Sequence, residues 1–311
     1  MRRFGWCLAV AVMAEEVTIA TYNIRTASKW AVTDGGDERN GRLWAQRRAK
    51  VAKSIEIAKA TIVGTQEGLD WQLDDLISLL GPSWRRVGGG RFGDGSDEDE
   101  HAAILYDTKK VSLLETRDFW LSETPEKKSK SWNAALPRIA TLAKFKVNGF
   151  DIVGINSHFD HGSEKARTEA AKLLLDVARQ EKVDFLTGDF NAPKNEEWFD
   201  RLLDGHYFLD AWPSAQERSC GSCRSGATYH AWQGTKTDAA KDSSEEEKQL
   251  VLESGTKHID AIFLSQRYKH NILKARVITD DKRRKVYGGT FASDHYPIAV
   301  TFSFLPPSPD L

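Results

Sequence analysis

Gly188-Asp189-Phe190-Asn191-Ala192-Pro193 follows the apolar run Val183-Asp184-Phe185-Leu186-Thr187. Its reading decides the fold. In an extended chain, Asp189 and Asn191 lie on the same side of the backbone. The carboxylate can hold a cation or take a proton, and the amide can donate to an anionic oxygen. Taken alone, the hexapeptide reads equally well as an Asx-rich turn stopped by Pro193. Its neighbours have to separate the two.

The pattern on either side alternates between strand and helix. Val17 to Ile24 reads as a strand, and Arg42 to Lys59 as a helix with Val51, Ile55 and Ala58 at helical spacing. A strand over Thr61 to Gln66 and a helix over Asp70 to Leu80 follow, the latter ended by Gly81-Pro82. Ala102 to Tyr106 is a short apolar strand. Asn148-Gly149 joins Ile139–Val147 to Asp151–Ser157 as a hairpin. A long helix spans Ser163 to Gln180 with Ser163 as its cap. Further strands are expected at Val183 to Thr187, Ile259 to Leu264, Ala275 to Thr279 and Ile298 to Phe304. A hairpin combined with strand–helix–strand units implies mixed sheets.

The 311 residues are 40% hydrophobic and 29% charged, which suits a globule with a sizeable core. We expect one domain over residues 15–306, with a mobile polar loop at 236–257. The net charge of −1 supplies no global attraction to nucleic acid or acidic membranes. The basic cluster Lys282-Arg283-Arg284-Lys285 reads as a solvated loop. No apolar stretch has the length to cross a bilayer. Met1-Arg2-Arg3, the apolar run Phe4 to Val12 and Ala14 fit a signal peptide over 1–14, hence secretion, or an uncleaved leader on a cytoplasmic protein. Cys220-Gly221-Ser222-Cys223 reads as a short-range disulfide or two free thiols. Gly88-Gly89-Gly90-Arg91-Phe92-Gly93 satisfies a dinucleotide-binding pattern. It opens onto the acidic run Asp94 to Glu100, however, and reads as a flexible loop.

Several strand ends carry polar residues like the opening pair: Asn23, Glu67, His158, Asp260 beside His258, and Asp294-His295. Each alone has an ordinary structural reading as a turn, a cap or a packed histidine. In order, however, Thr21-Tyr22-Asn23-Ile24-Arg25, Gln66-Glu67, Ser157-His158-Phe159-Asp160, Gly188-Asp189-Phe190-Asn191, Ile259-Asp260-Ala261-Ile262-Phe263 and Ser293-Asp294-His295-Tyr296-Pro297 span nearly the whole chain. As a set the sequence resembles the endonuclease/exonuclease/phosphatase superfamily. Phe119 to Pro125 and Ser131 to Thr141 resemble a microbial branch of it.

The resemblance implies an α/β fold: a four-layer sandwich of two mixed sheets face to face, flanked by helices, with the active site at one edge. It implies a metal-dependent phosphoester hydrolase using Mg²⁺, for which Mn²⁺ can substitute. Glu67 is the expected first ligand, with the Asn23 side-chain oxygen beside it and Asp294 binding directly or through water. Asp189 is expected to prepare the attacking water and Asn191 to donate to a phosphoryl oxygen. His158 and His295 are expected as positive donors to the phosphate or as acids that protonate the leaving group, with Asp260 the partner of His295 and Glu100 the partner of His158. Arg138 is expected to clamp phosphate or to be a surface strand-end residue. By its place in the segment from Glu100, Tyr106 is expected to contact substrate.

The substrate is expected to be a small phosphorylated molecule or nucleic acid, with no protein partner indicated and a monomeric state. A secreted nuclease and a non-catalytic binding protein are the alternatives. Thr228 to Trp232 with Trp212 form either an aromatic wall for a base or sugar, or core packing.

Overall fold

The computed structural model describes residues 15–220, 227–232, 258–279 and 291–304. The leader, the loop at 236–257 and the basic cluster at 282–285 lie outside them. Strand β1 (Glu15–Asn23), helices α1 (Lys29–Thr33) and α2 (Trp44–Ala58), β2 (Ile62–Gln66), α3 (Asp70–Leu80), β3 (Trp84–Val87), β4 (Ile104–Asp107) and β5 (Val111–Trp120) come first. Then follow β6 (Ile139–Val147), β7 (Phe150–His158), α4 (Glu164–Glu181), β8 (Phe185–Asp189), α5 (Glu197–Leu203), β9 (Phe208–Asp210) and α6 (Ala211–Ser214). The chain closes with β10 (Glu217–Cys220), β11 (Asp260–Ser265), β12 (Ile272–Val277) and β13 (Ile298–Phe304).

These strands form two mixed sheets, ordered β10-β12-β13-β1-β2-β4-β3 and β5-β6-β7-β8-β11-β9. Three apolar layers hold them. Val17, Ile19 and Ile62 of one sheet meet Phe145, Ile152 and Phe185 of the other. Ala20, Tyr22 and Val63, on the opposite faces of the same strands, pack on Val51, Ile55 and Leu73 of α2 and α3. Leu186, Ile155 and Phe263 pack on Leu174 and Trp198 of α4 and α5. Helices outside two facing sheets make the four-layer α/β sandwich.

Local chemistry explains the boundaries. Asn148 and Gly149 have φ of 50° and 89°, the positive values that a tight two-residue hairpin turn demands. Ser163 caps α4 by accepting from the Ala166 amide at 3.1 Å. The glycine-rich segment corrects the expectation of a flexible loop. The Asp99 carboxylate accepts backbone amides from Phe92, Gly93, Asp94 and Gly95 at 2.6, 3.3, 3.0 and 3.0 Å, which pins the segment around a buried anion. Cys220 is disulfide-bonded, while Cys223 lies outside the described residues.

Strand direction gathers the polar ends. In each sheet the central neighbours are parallel, β1 with β2 and β7 with β8, so all four end at one edge. β11 and β13 run antiparallel to β8 and β1 and therefore begin there. Along β1, β7, β8 and β11 the side chains of Val17, Ile19, Ile152, Phe185 and Ile262 point between the sheets. Period-2 alternation carries Asn23, His158, Asp189 and Asp260 onto that same inner face.

A buried polar layer separates this edge from the apolar interior. Gln66 Nε2 donates to Asn156 Oδ1 at 2.7 Å and Thr187 Oγ1 donates to the same atom at 3.0 Å. Asn156 Nδ2 donates to the carbonyls of Thr65 and Ala103 at 2.8 and 3.0 Å. The two sheets are thus cross-linked beneath the site through Asn156, although Gln66 Oε1 has no hydrogen-bond partner among the described residues.

Candidate active site

Three cleft residues, Arg25, Glu67 and Asn191, leave their strands in the left-handed region, with φ of 61°, 64° and 53°. Such backbone costs about 1–3 kcal/mol at a non-glycine residue and concentrates at functional sites. Here it turns each side chain sharply at a strand end. Asn23 Nδ2 donates to Glu67 Oε1 and to Asp189 Oδ2, both at 2.8 Å, and ties the two sheets together across the edge. The Thr26 amide donates to Glu67 Oε2 at 2.9 Å. Arg25 Nη1 stands 4.0 Å from Glu67 Oε2 and 3.9 Å from Asp294 Oδ2.

Each sheet supplies one histidine, His158 at the end of β7 and His295 just before β13. His158 Nε2 lies 2.7 Å from Asn191 Nδ2 and 3.6 Å from Asp189 Oδ2. His295 Nδ1 bonds Asp260 Oδ2 at 2.8 Å, and its Nε2 lies 3.7 Å from Asp189 Oδ2. Asp189 Oδ1 accepts the Asn191 amide at 2.9 Å.

Environment separates the charges. Burial pushes Glu67 up, but Arg25 and the Asn23 and Thr26 hydrogen bonds outweigh it and lower the group to about 2. Burial raises Asp189, and Asp260 adds to the rise, bringing it to about 7 against the pull of His295 and Asn23. Burial would lower His295, yet Asp260 and Asp189 raise it to about 10 and keep an imidazolium. His158 goes the other way: burial, then Arg138, push it well below 6.5.

Glu67, His158 and Asp189 each place one ligand atom within 4.8 Å of the others. Each oxygen of the ionised Glu67 carboxylate accepts a single hydrogen bond among the described residues, and Glu67 lines a cleft of about 580 Å³. One such carboxylate, open to a space large enough for several waters, fits a hard divalent cation that keeps most of its hydration shell.

Several expectations are corrected. The Asn23 oxygen is taken by the Arg25 amide at 2.9 Å, so its nitrogen, not its oxygen, faces Glu67. The Asn191 amide nitrogen is committed to His158 and to the Phe159 carbonyl at 3.0 Å rather than left for phosphate. Because that nitrogen can only donate, His158 Nε2 accepts, and His158 is neutral rather than a cationic donor.

Glu100 bonds Arg91 Nη1 at 2.7 Å, so its ion-pair partner is Arg91 and not His158. Tyr106 is buried in the core beside Phe145, ring centroids 5.4 Å apart. It pairs with Ile62 at the far end of β2, because β4 runs antiparallel and begins, not ends, at the active edge.

Arg138 does line the cleft, with Nη2 2.8 Å from His161 Nδ1 and Nε 3.5 Å from Asp160. The aromatic stretch divides. Trp212 and Trp232 pack against the core and His230 lies against Tyr296, while Tyr229 is exposed and its ring lies 4.9 Å from that of His295. Sequence reasoning passed over Arg25, Trp30, Arg91 and Phe92, all on the cleft wall. Arg25 had a signal, two residues after Asn23 in the same motif.

Comparison with solved structures identifies the family to which this fold belongs. An endonuclease/exonuclease/phosphatase family protein from Bacteroides thetaiotaomicron is 32% identical over 94% of this chain and 99% of its own, with a TM-score of 0.77. The chain belongs to the endonuclease/exonuclease/phosphatase family. Within that family, the mannosyl-6-phosphatase Bt3783 of B. thetaiotaomicron VPI-5482 is 32% identical over 91% of this chain and 98% of its own, at a TM-score of 0.73. Danio rerio TDP2, solved with a single-stranded DNA product, shares the fold at 18% identity over 93% of this chain and all of its own, with a TM-score of 0.63. No family model matches the sequence, and no curated protein does.

Proposed function

We propose that this family member is a metal-dependent phosphoester hydrolase acting on a phosphomonoester of a small, hydroxyl-rich molecule. The observation that carries the reading is the convergence of an ionised Glu67, an Asp189 raised to about 7 and a protonated His295 around one cleft. Glu67 would hold Mg²⁺ or Mn²⁺, with Asp294 engaging through water because Arg25 already stands beside both carboxylates. Such a cation, when bound, offsets charge on the phosphoryl oxygens.

The protein's own groups divide the remaining work. Asp189, with its pKa near neutrality, orients the attacking water and takes its proton. His295, kept charged by Asp260, donates from Nε2 to an oxygen whose negative charge grows in the transition state. His158 and Asn191 brace Asp189 in position and carry no charge themselves. Arg138, buried against Asp160, supplies a fixed positive charge at the cleft wall.

Cleft size favours a small substrate, since about 580 Å³ is the scale of small-molecule sites. Similarity to a mannosyl-6-phosphatase points the same way. The nuclease reading has less support: Arg25, Arg91 and Arg138 each face a carboxylate, leaving little free charge for a polyanion. Comparing phosphate release from hexose 6-phosphates with cleavage of bis-p-nitrophenyl phosphate and DNA oligonucleotides tests the assignment. Cleavage confined to the diester and DNA would reverse it.

A further inference from the structure

We propose that the outer wall of the cleft is a hydroxyl-reading subsite for the leaving group, in which Arg91, Glu100 and His161 engage a neutral polyol and Phe92 offers a stacking face. The inference rests on the phosphomonoesterase reading and deepens it by assigning recognition to residues outside the phosphate-handling set.

His161 comes first. Arg138 Nη2 has only hydrogens to offer, so the contact at 2.8 Å makes His161 Nδ1 the acceptor. The remaining ring proton must sit on Nε2, and this exposed ring lines the cleft. Arg138 therefore locks His161 as a neutral N–H donor rather than a cation, a group suited to a hydroxyl oxygen.

Arg91 is the second element. It is 6% exposed, its Nη1 is paired with Glu100 at 2.7 Å, and its Nε has no hydrogen-bond partner among the described residues. Nε is closed off from solvent, so the guanidinium on the cleft wall has for a ligand the hydrogens that Glu100 leaves free on its terminal nitrogens. Glu100 is mostly buried beside it and contributes acceptor lone pairs. A donor–acceptor pair held this way matches adjacent hydroxyls, each of which both donates and accepts.

The ion pair also cancels its own charge, which disfavours a second phosphate at this wall. Phe92 lies between these groups and the glycines pinned by Asp99, so the wall is built in advance of binding. Trp30, 54% exposed, lines the same cleft. Flat apolar rings with convergent polar groups suit the mixed surface of a pyranose.

The test compares kcat/KM for a hexose 6-phosphate with that for p-nitrophenyl phosphate, whose leaving group has no adjacent hydroxyls. Both are measured for wild type, His161→Phe, Arg91→Lys and Glu100→Gln, with each variant's thermal transition recorded. The expected result is a fall of about tenfold or more in the sugar-to-aryl ratio for His161→Phe and for at least one of the other two. His161→Phe alone keeps the test open where a wall variant misfolds. Equal losses on both substrates in folded variants would overturn the subsite while leaving the hydrolase intact. Wild-type protein that cleaves DNA but neither phosphomonoester would overturn the underlying reading as well.

Discussion

Asp260 bonds His295 Nδ1 at 2.8 Å and leaves its Nε2 3.7 Å from Asp189. One carboxylate thus holds the imidazole in orientation and charge while the opposite nitrogen faces the reacting side. Asp260→Asn keeps the volume and removes the charge. Turnover should fall by about 10²-fold or more, the scale of losing a positioned acid–base group, while the fold persists. Steady-state kinetics with circular dichroism checks this, and near-wild-type turnover would remove His295 from its assigned role.

Glu67 is the principal cation ligand in this account. Glu67→Gln keeps the Thr26 contact but removes the negative charge. Divalent-ion affinity should drop by more than the ~10- to 100-fold that outer-shell partners carry. Calorimetric titration with Mg²⁺ and Mn²⁺ reads it directly, and unchanged affinity would move the metal elsewhere.

Gly64 lies against the polar layer beneath the site. A Cβ there would run into Thr187 Oγ1 and the Asn156 amide, both of which are fixed by hydrogen bonds. Gly64→Ala should destabilise the protein by about 1–3 kcal/mol, the cost of overpacking. Urea unfolding provides the measurement, and a neutral result would mean the polar layer yields freely.

His258 gives the stability a pH dependence. Burial, and then Lys194, push it well below 6.5. Below pH 6.5 the unfolded chain takes up a proton that the folded chain refuses, so stability falls with pH by up to about 1.4 kcal/mol per unit from this group. Above pH 6.5 the group is neutral in both states and contributes no slope. Unfolding curves from pH 7.5 to 5 should therefore be steeper in pH for wild type than for His258→Leu. Identical slopes would contradict the assignment.

The strand ends were legible because each apolar run stops at a polar residue on the inner-facing parity, as in Val183 to Asp189. The hairpin announced itself through Asn148-Gly149, and α3 was expected over its observed span. Strand β5 was not read: at the edge of its sheet, Val111 to Trp120 mixes buried and exposed positions without clean alternation.

Tyr106 was misassigned because the sequence carries no record of strand direction. Reversing β4 moves its last residue to the opposite end of the sandwich. Glu100 was misassigned for a related reason. Its partner, Arg91, is brought close by a loop folded around Asp99, a backbone arrangement with no periodicity to detect. The Asn23 amide faces its nitrogen to Glu67 because the amide of Arg25, two residues on, claims the oxygen.

The most direct test of the central claim is phosphate release from a hexose 6-phosphate by wild-type protein with Mg²⁺, with Mn²⁺ and with EDTA, beside Asp189→Ala. The account predicts turnover with either metal, silence in EDTA that added Mg²⁺ reverses, and a loss of at least ~10²-fold in the variant. Turnover that persists in EDTA, or that survives in Asp189→Ala, would contradict it.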